Sequence, residues 1–299
     1  MNKLAIEAFL AVVETKNFSK ACERLFVSQS TISNRLSCLE KELGSALFKR
    51  AKGMKGVELT PKGKEFLTYA NRYVSLEKDV RSWSKKDAKY DLKITAPPSL
   101  NAYILLPLFD RILEKQYPIC LNIYSHWIKP TYELIESQQM DIGIVSLQLE
   151  SQNAVTTPLF REEMVLISGQ MSSDLPDIVD PECMKTDNEV FLSWGAEFKM
   201  WHDSHWSPAG VNPLLVDSPY LIYHFVKHHG YWSIVPYDIA LKFKENMPLK
   251  ISRFSCRIPY RTIYKVLHRN PNSAGIPAIR IFEKELNAYI EENRYTQKI

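Results

Sequence analysis

The chain has 299 residues, of which 45% are hydrophobic and 24% charged, with a net charge of +4. That length allows two or three compact units with real cores, and the ordinary composition excludes a disordered or fibrous chain. Residues 1–90 hold 18 Lys and Arg against 10 Asp and Glu, a surplus of eight, whereas the remainder holds 20 against 24, a deficit of four. Positive charge confined to one end is what attraction of phosphate by one domain would require. Five cysteines (Cys22, Cys38, Cys120, Cys183, Cys256) are scattered and never form CxxC. They argue against a disulfide framework or a thiolate zinc site and for a reducing compartment. No stretch is apolar enough to span a membrane.

The first predicted element is a helix from Leu4 to about Thr15, with Phe9, Leu10, Val12 and Val13 inward. Glu7 interrupts its apolar run and no small-residue cleavage site follows, so it reads as a core helix rather than a signal peptide. Two short helices come next, joined by a tight turn at Val27 and Ser28. The first runs from about Ser19, its expected N-cap, to Phe26. The second starts after Ser28, and Ile32, Leu36, Leu39 and Leu43 recur on one face of it before Gly44 ends it. Its other face begins with Gln29, Ser30, Thr31, Ser33, Asn34 and Arg35, where Glu and Lys would ordinarily solvate a helix. Amides can pair with adenine edges, arginine with guanine, and short hydroxyls with phosphate, so this strip suits a DNA major groove. Two short strands, Leu47 to Lys49 and Val57 to Leu59, would then flank a glycine-containing wing. Its Lys49, Arg50, Lys52 and Lys55 are placed to meet phosphate.

The runs AFLAVVETKNFSKA, LFVSQSTISNRLSCLEKELGSALFKR and VELTPKG, between Phe9 and Gly63, resemble the winged helix-turn-helix of LysR-type transcriptional regulators. Cys22 stands where that family usually has alanine. The resemblance implies double-stranded DNA as partner, a bacterial cytoplasm, dimerisation through a linker helix, and a C-terminal part like a periplasmic binding protein, two α/β subdomains around an effector cleft.

Thr60 and Pro61 are expected to cap and start a long helix reaching about Ser84. Phe66, Tyr69, Tyr73, Leu76, Val80 and Trp83 repeat at spacings of three and four, a seam that calls for a partner helix. At 1.5 Å per residue the helix is about 35 Å long, more than one small domain covers. A homodimer or homotetramer is the expected assembly, and a two-fold dimer would offer two recognition helices to two half-sites.

After a charged hinge near residue 87, strands and helices alternate: strand Leu92 to Ala96, helix Asn101 to Gln116, strand Ile119 to Tyr124, helix Thr131 to Gln138, strand Ile142 to Val145. A second unit starts near Met164, with strands at Val190 to Ser193, Leu214 to Val216 and Ser233 to Val235 and a helix from Pro219 to His229. Strand Thr262 to Leu267 and helix Ala278 to Glu292 would return to the first. Alternation predicts parallel sheets with right-handed crossovers.

The expected fold is therefore α/β with an N-terminal all-α winged helix-turn-helix (1–60), a long linker helix and hinge (61–90), and a two-subdomain, periplasmic-binding-protein-like C-terminal domain (91–299). Subdomain I would take about 91–163 and 266–299, and subdomain II about 164–265.

In open parallel sheets ligands bind beyond the carboxyl ends of strands, where helix N-termini offer free amides to anions. Loops there carry Ser99 and Asn101, then Ser125, His126 and Trp127, then Ser193 and Trp194, then Ser218. Ser99 matches a position where the family often binds effector. A small organic acid would suit such a cleft. Each residue also has a plain structural role open to it, capping for the hydroxyls and core for the tryptophans. The sequence departs from the family at Gln138 and at Trp232, both usually glycine, and a bulky Trp232 is expected to fill or reshape the cleft.

Two other readings stay open: a DNA-binding protein whose C-terminal domain only assembles subunits, and a metal-binding enzyme. The second would rest on Trp201-His202-Asp203-Ser204-His205-Trp206 and on His228-His229, but no metal motif such as HExxH completes the set. No GxSxG elbow and no phosphate-cradling glycine motif occurs. No enzyme activity, cofactor or metal is expected.

Overall fold

The computed structural model describes residues 2–49, 57–83, 90–169, 175–206, 214–293 and 297–298, with backbone only at 78, 79, 81–83, 297 and 298. The chain divides into two compact units: Met1–Ala88 with Glu136–Gln139, and Lys89–Ile135 with Met140–Ile299.

The first unit is helical. α1 (Lys3–Thr15), α2 (Phe18–Leu25) and α3 (Gln29–Leu43) pack around Ile6, Phe9, Val12, Ile32, Leu36 and Leu39. α2 is capped two residues earlier than its serine suggests. Asn17, not Ser19, is the N-cap, accepting from the amides of Ser19 and Lys20; asparagine is at least as good a cap as serine, and it comes first along the chain. α3 ends as expected at Gly44, with φ +64°. Of the two wing strands, one antiparallel bridge remains, Phe48 to Leu59, with hydrogen bonds from Lys49 N to Glu58 O and from Thr60 N to Leu47 O, each 2.9 Å.

α4 (Pro61–Trp83) is capped by Thr60, whose hydroxyl accepts from the Gly63 amide at 2.9 Å. Gly63 lets the helix approach the wing strand: a Cβ there would lie 2.1 Å from the Leu47 carbonyl oxygen. The seam expected for a partner helix is divided. Phe66 is buried against Phe9, ring centroids 5.1 Å apart, and Tyr73 also packs on this core. Tyr69, Leu76 and Val80 are exposed, at 55%, 58% and 57%. Phe66 is thus a core residue of its own unit, and the side chain of Trp83 lies outside the described residues.

Among the described residues the second unit holds two larger sheets and a separate two-stranded pair. The larger contains β1 (Tyr90–Ala96), β2 (Ile119–Ser125), β3 (Ile142–Val145), β4 (Ala154–Glu162), β11 (Arg261–His268) and β12 (Gln297–Lys298), in the order β12-β4-β11-β3-β1-β2. β1 is parallel to β2 and β3, but β11 is antiparallel to both β3 and β4. The sheet is mixed rather than parallel because β4 leaves the subdomain and β11 returns to it side by side. The return begins at Arg261, not near 266. The smaller sheet has the order β6-β10-β5-β9, from β5 (Met164–Gly169), β6 (Ile178–Val179), β9 (Trp232–Pro236) and β10 (Leu249–Phe254). β7 (Val190–Phe191) and β8 (Leu214–Leu215) form a separate parallel pair.

The helix expected from Asn101 to Gln116 is two helices, α5 (Pro98–Tyr103) and α6 (Leu106–Glu114). Pro107, in the first turn of α6, lacks the amide and the clearance to continue α5. α7 (Ile128–Glu136) starts three residues before Thr131, so Thr131 is a buried interior residue and not a cap. α8 (Ala196–His205), α9 (Pro219–His229), α10 (Tyr237–Lys244) and α11 (Ile276–Glu292) complete the unit. Gln138 has φ 55°, the left-handed conformation that suits the glycine usual there.

Candidate DNA-binding face and effector cleft

In the first unit the expected DNA-contact strip is a continuous surface. The Ser28 hydroxyl accepts from the Thr31 amide at 3.2 Å and lies 2.8 Å from both the Ser30 and Thr31 hydroxyls. Gln29, Ser30, Ser33 and Asn34 are exposed, while Thr31 and Arg35 are half-buried. Ser30, Thr31, Ser33, Asn34 and Ser37 line a shallow concavity on this face. The opposite face is held by Ile32, Leu36 and Leu39, all 4% exposed or less. Glu40, one turn further, clamps the wing: its Oε1 accepts from the amides of Leu47 at 2.7 Å and Phe48 at 3.3 Å. Lys49 is exposed and paired with Glu58 at 2.8 Å, so a phosphate would compete with that carboxylate. Arg50, Lys52 and Lys55 lie outside the described residues.

In the second unit a cavity of about 280 Å³ is bounded by Pro97, Ser99, Trp127, Ser146, Ser193, Trp194, Asp217 and Arg261, among others. Four of the residues expected to meet an effector are there: Ser99, Trp127, Ser193 and Trp194. Trp127 is open to solvent at 57% exposure, while Trp194 is buried and donates its indole N–H to the Ile234 carbonyl at 2.7 Å.

The other four serve the walls. Asn101 donates its amide to the carbonyls of Ala96 and Tyr124 and lies 2.9 Å from Ser125 Oγ, tying the two loops together. His126 is held by Thr95 at 2.9 Å and stacks on Tyr124. Ser218 caps α9 by accepting from the Tyr220 amide. Trp232, expected in the cleft, is elsewhere: its indole N–H donates to the Lys185 carbonyl at 3.0 Å and its ring packs on Trp206.

Arg261 is the residue the sequence did not point to. It is buried, donates to Glu162 at 3.1 Å and to Ser99 Oγ at 3.2 Å, and lies 5.1 Å from the Trp194 ring centroid. Its Nε and Glu162 Oε1 have no hydrogen-bond partner among the described residues. Burial pushes the Glu162 carboxyl up to about 7 against the pull of Arg261, and burial alone pushes Asp238 up to about 6. Burial likewise lowers the Arg261 guanidinium from its ordinary value. The first turns of α7, α8 and α9 border the cavity through Ile128, Ala196 and Pro219. Gly195, which precedes α8, provides no side-chain cap, so amides of its first turn are open to a ligand.

His202 and His205 share α8, but their imidazoles take different partners. His202 is buried, with Nε2 3.0 Å from both oxygens of Glu189, whereas His205 is exposed beside Cys256. The two do not converge on one point.

Two family models match this chain: the bacterial regulatory helix-turn-helix protein, lysR family, over residues 4–64, and the LysR substrate binding domain, over residues 86–287. The chain belongs to the LysR family. Among curated LysR-type relatives, CysL of Bacillus subtilis is 32% identical over 165 residues, covering 54% of this chain and 54% of its own. BenM of Acinetobacter baylyi is 29% identical over 175 residues, covering 58% and 56%. The chain thus spans about half the length of these relatives. A cysteine variant of full-length OxyR from Pseudomonas aeruginosa has the same fold, with a TM-score of 0.68 at 22% identity over 99% of this chain and 96% of that one. Full-length CbnR complexed with its target DNA gives 0.65 at 18% identity, covering 97% and 100%. Full-length LysG from Corynebacterium glutamicum with bound effector Arg gives 0.66 at 17% identity over the whole of both chains. No helix among the described residues is long and apolar enough to cross a membrane.

Proposed function

We propose that this LysR-family protein is a sequence-specific transcriptional regulator that binds double-stranded DNA through its first unit and a small effector in the cleft of its second. The observation that carries the DNA reading is the recognition helix: hydroxyls, amides and Arg35 on the open face of a helix whose other face is buried. The CbnR chain solved with target DNA supports it. Gln29, Ser30, Ser33, Asn34 and Arg35 reach base edges or their neighbours, and Ser28, Thr31 and Lys49 lie toward phosphate. Assembly as a homodimer or homotetramer uses the exposed part of the α4 seam, Tyr69, Leu76 and Val80.

The effector is a small organic carboxylate. Three helix starts, Ser99, Ser146 and Ser193 offer it donors, and Trp127 and Trp194 offer its body an apolar wall. Arg261 is buried and already engaged by Glu162 and Ser99, so the helix amides and hydroxyls carry most of the recognition. LysG, solved with an amino-acid effector, supports a ligand of this size in this fold. Asp217 at the rim would meet the amino group of such a ligand. Effector binding can shift DNA affinity only by the difference between its affinities for the two arrangements of the assembly.

The test is a thermal-shift screen of the full chain against organic acids and amino acids. Ligand that binds the folded state raises the melting temperature by mass action. A saturable rise abolished by Ser99→Ala establishes the cleft. Plain acids acting as well as amino acids would remove the role of Asp217, and no rise across the panel would favour a C-terminal unit that only assembles subunits.

A further inference from the structure

A cysteine and a histidine of the second subdomain take no part in the DNA-binding face or the cleft. Cys256 follows β10, in the segment that leads back to Arg261, and His205 closes α8. Cys256 Sγ lies 3.5 Å from His205 Nε2. The far side of the ring decides which atom donates. His205 Nδ1 is 2.9 Å from the Trp201 carbonyl oxygen and 3.1 Å from Ser204 Oγ. A carbonyl only accepts, and the Ser204 hydroxyl already gives its own hydrogen to that carbonyl at 2.7 Å. Nδ1 therefore carries a proton, and the neutral form of the ring presents its Nε2 lone pair to the thiol. Trp201, with its ring centroid 4.5 Å away, holds the imidazole in place. A thiol, a base facing it and an acceptor orienting the base is the arrangement that activates a sulfur nucleophile.

Cys256 also borders a cavity of about 290 Å³ that Arg253, Arg257 and Tyr260 help to line. Arg253 is engaged by Glu163 through two hydrogen bonds, 2.7 and 3.2 Å. Arg257 lies over the Tyr260 ring, 4.9 Å from its centroid, with no carboxylate partner among the described residues. Its charge is open to an anion entering beside Cys256.

We propose that Cys256 and His205 form a reactive thiol site that takes up small disulfides bearing a carboxylate, by thiol–disulfide exchange. Sγ attacks one sulfur of the disulfide. The new Sγ–S bond forms as the old S–S bond breaks, and the departing sulfur leaves as thiolate. The thiol proton passes to Nε2 and from there to the thiolate, so one disulfide and one thiol become another disulfide and another thiol with no further oxidant. Arg257 pairs with the carboxylate.

The experiment titrates the full-length protein with a limiting amount of 5,5′-dithiobis(2-nitrobenzoate), follows the released chromophore, and locates the label by peptide mass spectrometry. Cys38, Cys120 and Cys183 are exposed and Cys256 is only half-exposed, so accessibility alone would label the other three first. The site predicts the reverse, Cys256 faster by about tenfold or more, with the fast phase absent from Cys256→Ser. His205→Asn should remove most of that advantage while leaving Cys38 and Cys120 unchanged. Arg257→Gln should slow the anionic probe but not neutral 4,4′-dithiodipyridine. Labelling of Cys256 no faster than the exposed cysteines in the unaltered protein, which depends on no variant folding, overturns the proposal, as does an unchanged rate in His205→Asn. Equal effects of Arg257→Gln on both probes overturn the preference for a carboxylate.

Discussion

Arg261 faces Glu162 at 3.1 Å across the antiparallel pair of β11 and β4, both side chains sealed from solvent, and its other arm reaches Ser99 in the cleft. The pair lies where the chain crosses between the two subdomains. Burial outweighs attraction here, so the folded carboxyl holds its proton to about 7, above its ordinary value of 4.5.

A pH dependence follows. A carboxyl whose folded pKa is raised stabilises the fold fully below its unfolded value and loses that contribution as pH rises through the folded value. The second unit should therefore lose stability between about pH 4.5 and pH 7 through Glu162, on the order of 3 kcal/mol, with Asp238 adding to the fall. Glu162→Gln imitates the protonated acid and should flatten the curve measured by denaturant unfolding. Arg261→Met removes the one pull that lowers the carboxyl pKa, so its stability loss should extend to higher pH.

The proposed recognition of DNA by α3 predicts a split between two kinds of contact. If Arg35 reads guanine, Arg35→Ala should cost about 1–3 kcal/mol for the preferred operator and relax selection at one base pair. Lys49→Ala should weaken all sequences alike and reduce the salt slope. Competition binding at several salt concentrations separates the two; identical behaviour of both variants would refute the assignment.

The α4 seam should divide in the same way. Leu76→Asp or Val80→Asp places charge on exposed apolar positions and should dissociate the assembly, seen as a lower mass by light scattering, with the first unit still folded. Phe66→Ala empties a core site against Phe9 and should destabilise that unit by about 3–5 kcal/mol.

Gly63→Ala should also unsettle the first unit. The added Cβ would lie 2.1 Å from a backbone oxygen, which no rotamer change can relieve. A loss of about 1–3 kcal/mol, the range for overpacking, is expected in thermal unfolding.

The sequence made regular helices legible wherever one face repeats. α9 was bounded to the residue, and α3 showed both its core face and its polar strip. It was weaker where a role depends on distant partners. Ser99 was visible because a strand end and a helix start frame it, but Arg261, 162 positions later, reaches the same cleft only through the fold. Trp232 looked like a cleft residue because it replaces a glycine in a loop, yet β9 turns it toward Trp206 and the carbonyl of Lys185. β4, β10 and α10 went unnoticed; β4 has Pro158 at its centre and Arg161 and Glu162 at its end in place of clean alternation.

The clamp of Glu40 on Leu47 and Phe48 bears on how the proposed DNA recognition could be redirected. The side chains at positions 28–35 that are proposed to meet DNA precede that clamp in the chain, so exchanging them for another set leaves Glu40, Leu47 and Phe48 unchanged. Residues 36–48 join the helix to the first wing strand through the Glu40 carboxylate and the shared packing of Leu36, Leu39, Leu47 and Phe48. A chimera that cuts between Glu40 and Leu47 would pair a carboxylate from one parent with amides from the other and should lose the alignment that the clamp fixes.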